Sequence, residues 1–252
     1  MISIQNISKA FGKQMVIDQA SANFVKGEVT AIIGPNGAGK STLLSMASRL
    51  LSRDSGQVII DNKELAAWDT KALAKRLAVL RQSNNLAMRF TIRELVAFGR
   101  FPHSQGALTD EDQSIINKAI AYLDLQDIQD KYLDELSGGQ RQLAFIAMVV
   151  AQDTDYVFLD EPLNNLDIKH SLQIMKNIRV LAKELHKAVV IVIHDINFAS
   201  CYSDNIIALK KGVVQINGTV DEVIKPDVLS KIYDTTFRIE QIDGQRICLY
   251  YQ

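Results

Sequence analysis

Apolar and polar side chains alternate from Met1 to Lys9, the pattern of a half-buried strand. Strands are predicted over 2–7, 16–18 and 21–25, with a turn at Lys26-Gly27-Glu28. Residues 29–33 form a short unbroken apolar run. A glycine-rich loop follows, and helical spacing begins near Lys40. Ser55-Gly56 reads as a turn, 57–60 as a strand and Asp61-Asn62 as a second turn. Another apolar run lies at 77–80.

The character changes from Thr91 to Leu136, where 91–98 and 110–125 have helical spacing. Thr109 and Asp110 are candidate N-caps ahead of the acidic Glu111 and Asp112. An α/β alternation then resumes: helix from Gly139 to Ala151, strand 156–159, helix 169–185, strand 189–193. Runs this apolar suit strands covered on both faces of a parallel sheet. Beyond Asn205 the pattern predicts short strands and turns, a short helix, and a hairpin around Asp243-Gly244. The fold class expected is α/β, with a parallel core sheet, an N-terminal antiparallel β subdomain and an inserted helical subdomain. One domain over 1–252 is expected, with 1–90 and 137–252 as its α/β lobe and 91–136 as the insert.

Composition narrows the function classes. Of 252 residues, 47% are hydrophobic and 23% charged, a globular balance. Lys and Arg (28) nearly cancel Asp and Glu (29), and the pI of 6.4 lacks the basic excess of a dedicated nucleic-acid binder. Cys201 and Cys248 stand far apart in no metal-binding spacing and read as reduced thiols. The first residues lack the marks of a signal peptide. The longest apolar stretches, 143–151 and 188–193, fall short of the ~18 residues that span a bilayer. A soluble chain is expected, with any membrane role exerted through a partner.

Gly34-Pro35-Asn36-Gly37-Ala38-Gly39-Lys40-Ser41 fits G-x-x-x-x-G-K-[ST], placed after a strand and before a helix. Glycines let successive main-chain N–H groups turn inward onto phosphate oxygens, where a Cβ would obstruct the wrap. The helix start adds unpaired donors and a positive dipole end. Lys40 can reach the β and γ phosphates, and Ser41, followed by Thr42, can ligate Mg²⁺. A chance glycine-rich turn is the bland alternative, and the strand–loop–helix context argues against it.

Leu136-Ser137-Gly138-Gly139-Gln140 precedes a second strongly helical stretch and reads as another anion site at a helix N-terminus. One nucleotide cannot fill two complete cradles in one compact lobe. The simplest physical answer is that Ser137, Gly138, Gly139 and Gln140 grip the γ phosphate of an ATP held by a second copy. The bland alternative is a Ser-capped helix with no ligand.

The order of phosphate loop, single Gln, LSGGQ, acidic strand end and late His resembles the ATP-binding subunits of ABC transporters over essentially the whole chain. That resemblance implies a P-loop NTPase fold, with ATP and Mg²⁺ as ligands. It implies that Asp160, ending Tyr156-Val157-Phe158-Leu159-Asp160-Glu161, holds Mg²⁺, and that Glu161 orients and deprotonates the attacking water. By the same likeness His194 contacts the γ phosphate, and Gln82 senses Mg²⁺ and water and links the site to membrane subunits. Asn165-Leu166-Asp167 is similar to the loop that crosses the dimer interface; Asn165 departs from the small residue common there, so Asp167 carries that assignment. Phe11 replaces a Tyr that stacks on adenine, and Phe keeps the π face; otherwise it is an edge-strand core aromatic. The implied partners are a second ATPase subunit, two many-helix permeases and, indirectly, a substrate-binding protein, with no nucleic acid. The implied place is the cytoplasmic side of the cell membrane.

Gly99-Arg100-Phe101-Pro102-His103 looks like a stretch of ATPases serving importers of ferric siderophores, haem and cobalamin. The flanking Ser104-Gln105-Gly106 and 127–133 are similar to those of iron–siderophore importers. Taken alone, the stretch is a helix ended by Gly and Pro. Importers of haem or cobalamin, and soluble relatives in translation or DNA repair, are the alternatives. Translation relatives carry two cassettes and repair relatives long heptad arms, and this chain has neither.

Overall fold

A computed structural model of the chain describes residues 1–82, 89–164 and 166–250. In chain order the elements are β1 (Ile2–Phe11), β2 (Gln14–Phe24), β3 (Val29–Ile33), α1 (Lys40–Ala47), β4 (Ser55–Ile60), β5 (Lys63–Glu64), α2 (Thr70–Ala74) and β6 (Leu77–Leu80). Then come α3 (Ile92–Phe98), α4 (Phe101–Ser104), α5 (Asp110–Tyr122), α6 (Gly138–Ala151), β7 (Tyr156–Asp160), α7 (Ile168–Lys183) and β8 (Ala188–Val192). The chain finishes with α8 (Ile196–Tyr202), β9 (Asn205–Lys210), β10 (Val213–Thr219), α9 (Val220–Val223), α10 (Pro226–Tyr233), β11 (Arg238–Ile242) and β12 (Gln245–Leu249).

These elements gather into two compact units, Met1–Trp68 with Arg179–Gln252, and Asp69–Ile178. The first holds two larger sheets and the two-stranded β11–β12 hairpin. An antiparallel one runs in the order β2-β1-β4-β5. In the other, β3 pairs in parallel with β8 on one side and β9 on the other, and β10 closes antiparallel on β9. β3 and β8 are buried along their whole length, which explains their unbroken apolar runs. The β11–β12 hairpin packs on α8: Asn197 bonds both main-chain groups of Cys248, and Ser200 bonds the Arg246 carbonyl. Cys201 and Cys248 are free thiols, and burial pushes Cys248 up to about 11.

Ser55-Gly56 is not the turn its composition predicted. Both residues lie inside β4, where the pairing with β1 shifts register between Gln5 and Ser8. Gly56 has φ +77, and a Cβ there would stand 2.3 Å from the Asn6 carbonyl oxygen. The glycine therefore makes a strand irregularity, a second use of the same local freedom. Asp61-Asn62 is a turn as read, with φ +47 and +65 between β4 and β5.

In the second unit β6 pairs in parallel with β7, and α3, α5 and α6 pack together. Thr91, Thr109 and Ser137 each cap a helix reciprocally with the residue three positions on. The Gly99–His103 stretch has a packing role here. The Arg100 guanidinium is buried, giving one bond to Asp112 (2.8 Å) and one to the Ala151 carbonyl (2.9 Å) at the end of α6. His103 Nε2 lies 3.0 Å from the Gln152 carbonyl oxygen, and a Cβ on Gly99 would stand 2.2 Å from that of Met148. Two basic side chains thus meet the last carbonyls of α6, where the helix dipole favours them. Among the described residues no helix is long and apolar enough to cross a membrane.

Candidate functional site

In the first unit the paired strands β3 and β8 deliver the phosphate loop and His194 from one edge. Ile32 is opposite Val192 in the parallel register, and Gly34 and His194 each come two residues later. The carboxyl ends of parallel strands are where open α/β sheets place ligands.

The loop's geometry follows from crowding beneath it. Gly34 has φ +146, and a Cβ there would come within 2.1 Å of the Leu209 carbonyl oxygen. Gly39 has φ +100, and a Cβ would meet Ile17 at 2.6 Å. Ala38 N–H closes a turn onto Pro35, and the Ala38 carbonyl accepts from Gly212. Asn36 and Gly37 are exposed at the crest. Helix α1 opens at Gly39 with no side-chain cap, leaving its first N–H groups directed out of the helix start with Ser41 and Thr42 in its first turn. Lys40 is buried, its Nζ 2.9 Å from the Gly34 carbonyl and 3.1 Å from that of Pro35. Phosphate oxygens are stronger partners for an ammonium than neutral carbonyls are.

Phe11 ends β1, is 52% exposed as a residue, and has Lys9 Nζ 5.7 Å from its ring centre. Of the two readings of Phe11, burial in a core does not hold, and an accessible π face remains. His194 is exposed ahead of α8, which Asp195 caps.

The second unit repeats the strand-edge arrangement. Leu80 of β6 is opposite Leu159 of β7, and Gln82 and Glu161 each come two residues later. The Gln82 side-chain amide donates to the Glu161 carboxylate across 2.6 Å. The same carboxylate oxygen accepts from Asn164, a partner the sequence reading missed; its only signal is a polar side chain three residues after a strand-end acid. Glu161 has φ +52, uncommon for a non-glycine residue and often found where a side chain is re-aimed. Asp160 is buried at the end of β7.

Ser137 and Gly138 are exposed at the start of α6. The Ser137 hydroxyl accepts from the Gln140 main chain, and the Gln140 side chain accepts from the Ser137 main chain, both at 3.2 Å. Ser137 is therefore a helix cap in this chain, and its hydroxyl proton stays available to an acceptor outside it. Gly139 is buried against the His170 ring. Asp167 Oδ1 accepts from the His170 main chain and from its Nδ1, each at 2.8 Å. The His170 main-chain N–H, then its ring, hold the Asp167 carboxyl below its usual range. His170 was also missed; an Asp with His three residues on at a helix start was the available signal. Asn165 lies outside the described residues.

Comparison with known proteins gives the family. Residues 17–164 match the family model described as ABC transporter. The chain is 57% identical over 251 residues to the petrobactin import ATP-binding protein YclP of Bacillus subtilis, covering all of both chains. It is 49% identical to the petrobactin import ATP-binding protein FatE of Bacillus anthracis, with 97% of each covered. Among solved structures, a dimeric post-hydrolysis state of the ATP-binding cassette MJ0796 bound to ADP and Pi is 30% identical. The TM-score is 0.78, with 87% of this chain and 99% of that one covered. On these matches, the chain belongs to the ABC transporter family, as an ATP-hydrolysing subunit.

Proposed function

We propose that the chain hydrolyses Mg-ATP to energise uptake of a ferric siderophore across the cytoplasmic membrane. The observation that carries this reading is the full-length 57% identity to a petrobactin import ATPase. A petrobactin-like chelate is the favoured cargo, because the relatives at 57% and 49% identity described above are named for that import.

In this reading Gly34, Asn36, Gly37, Ala38, Gly39, Lys40, Ser41 and Thr42 wrap the phosphates and Phe11 stacks on the base. Glu161 orients the attacking water and takes its proton, Gln82 and Asn164 fix the direction of that carboxylate, and His194 meets the γ phosphate. Ser41, Gln82 and Asp160 offer hydroxyl, amide and carboxylate oxygens, the hard donors Mg²⁺ takes. Among the described residues no cluster of three or more His, Cys, Asp or Glu competes for a metal. Bound there, Mg²⁺ would neutralise charge on the transferring phosphoryl group.

Ser137, Gly138, Gly139 and Gln140 would close on the ATP of a second copy, with Asp167 crossing between copies. ATP then joins the copies and hydrolysis parts them, a two-state motion available to two permease subunits. The chain would sit on the cytoplasmic face of the membrane through those permeases, served by an external binding protein and with no nucleic-acid partner. Residues 91–136 would act as the helical insert of a catalytic lobe formed by 1–90 and 137–252.

The test is co-purification with the permeases, reconstitution in vesicles, and ATP turnover with binding protein loaded with ferric petrobactin, a ferric hydroxamate, haem or cobalamin. Stimulation by a ferric siderophore is expected. Stimulation by haem or cobalamin alone would overturn the cargo assignment.

A further inference from the structure

One side chain touches two segments to which the proposed cycle gives separate tasks. His170 stands at the start of α7, and Asp167 Oδ1 accepts both its main-chain N–H and its Nδ1–H at 2.8 Å. The main-chain bond fixes the Asp167 carboxylate, and the Nδ1–H bond to that same oxygen holds the ring. The ring so fixed lies against Gly139, where a Cβ would stand 2.7 Å from Cγ and 2.8 Å from Cδ2. Gly139 is the second residue of α6, beside Gln140, whose main-chain N–H is taken by Ser137.

We propose that His170 is a positioning residue that couples the Ser137–Gln140 turn to the Asp167 loop, so that a shift in either segment is imposed on the other. The contact suits this task on three physical grounds. The imidazole is planar and stiff. Its partner at Gly139 is main chain, with no rotamer to absorb a displacement. The Asp167 anchor is a carboxylate, whose bonds to N–H donors are the stronger kind. A long flexible side chain in the same place would fill space and transmit little. The proposal rests on the reading above, in which the turn and the loop both face a second copy, and it adds that they move as one body.

The experiment uses the full chain with His170→Ala, Asp167→Ala and His170→Asn; the Asn side chain can donate to Asp167 but offers no ring to Gly139. Amide hydrogen exchange at 138–140 is measured first, on the nucleotide-free chain. Both alanine variants should speed it roughly tenfold, although Asp167 is remote in sequence from those amides. Steady-state hydrolysis and calorimetric ATP affinity follow. For His170→Ala, kcat should fall roughly tenfold while ATP affinity stays within about twofold, and the Asn variant, which keeps the Asp167 bond without the ring, should not recover the kcat loss. Exchange at 138–140 that is unchanged in both alanine variants overturns the link, as does an unchanged kcat. Should His170→Ala fail to fold, Asp167→Ala decides by the same exchange readout. A Glu161→Gln chain with His170 intact is run alongside for ATP-dependent dimerisation. Failure of that control removes the two-copy reading, and the exchange result still decides the link.

Discussion

Gln82 and Glu161, 79 residues apart in sequence, share a hydrogen bond of 2.6 Å because each stands two residues beyond a pair of parallel neighbours, Leu80 and Leu159. A carboxylate held by two side-chain amides has its acceptor direction set before a water arrives.

Replacing that carboxylate should separate binding from chemistry. Glu161→Gln should keep ATP affinity, lose turnover by about 10²-fold or more, and accumulate an ATP-bound dimer on gel filtration. Unchanged turnover would remove Glu161 from the base role.

Lys40→Ala should act on binding itself. Its ammonium is buried against loop carbonyls, and a charged hydrogen bond is worth about 1.5–3 kcal/mol, so affinity should fall by tenfold or more. Near-wild-type ATP affinity by calorimetry would contradict this.

The buried Arg100–Asp112 pair predicts an acid-dependent stability. Bonds from Thr109, then from Arg100, hold Asp112 at about 2, against 3.8 for an ordinary Asp. A lowered folded pKa means the unfolded chain takes up the proton first as pH falls. The pair's contribution is therefore complete above pH 3.8 and disappears towards pH 2, by about 2 kcal/mol. Asp112→Asn should cost about 3 kcal/mol near neutrality, because Arg100 is left buried without its charge partner. Urea midpoints should show the gap from wild type narrowing between pH 4 and 2.5. A constant gap would refute the linkage.

Gly56→Ala should destabilise the chain by about 1–3 kcal/mol, combining positive φ with contact on the Asn6 carbonyl. Nucleotide affinity should stay near wild type, since the site residues lie elsewhere. A melting temperature within a degree of wild type would show that the strand irregularity adapts.

Much of this was legible from residue order. The phosphate loop, the LSGGQ turn and the acidic end of β7 announce themselves because their chemistry needs particular residues at fixed spacing. Ser55-Gly56 misled because a turn and a strand bulge ask the same thing of glycine. β1 and β2 run further than their apolar positions indicated, to Phe11 and from Gln14, because their ends are held by main-chain pairing more than by burial. Asn164, His170 and the Gln82–Glu161 bond were hidden for another reason. Each depends on where a turn or a parallel register aims a side chain, and composition does not record direction.

The beginning of α1 differs from that of most of the described helices. α2, α3, α5, α6 and α8 open on a side chain that closes their first turn, and α4 and α10 open with a proline. α1 has neither. In the proposed reading a phosphate group would sit at this helix start, so that ligand binding and the ordering of the first turn would be coupled. Inorganic phosphate alone should then protect the amides of 39–42 from exchange, and a nucleotide should do so at far lower concentration.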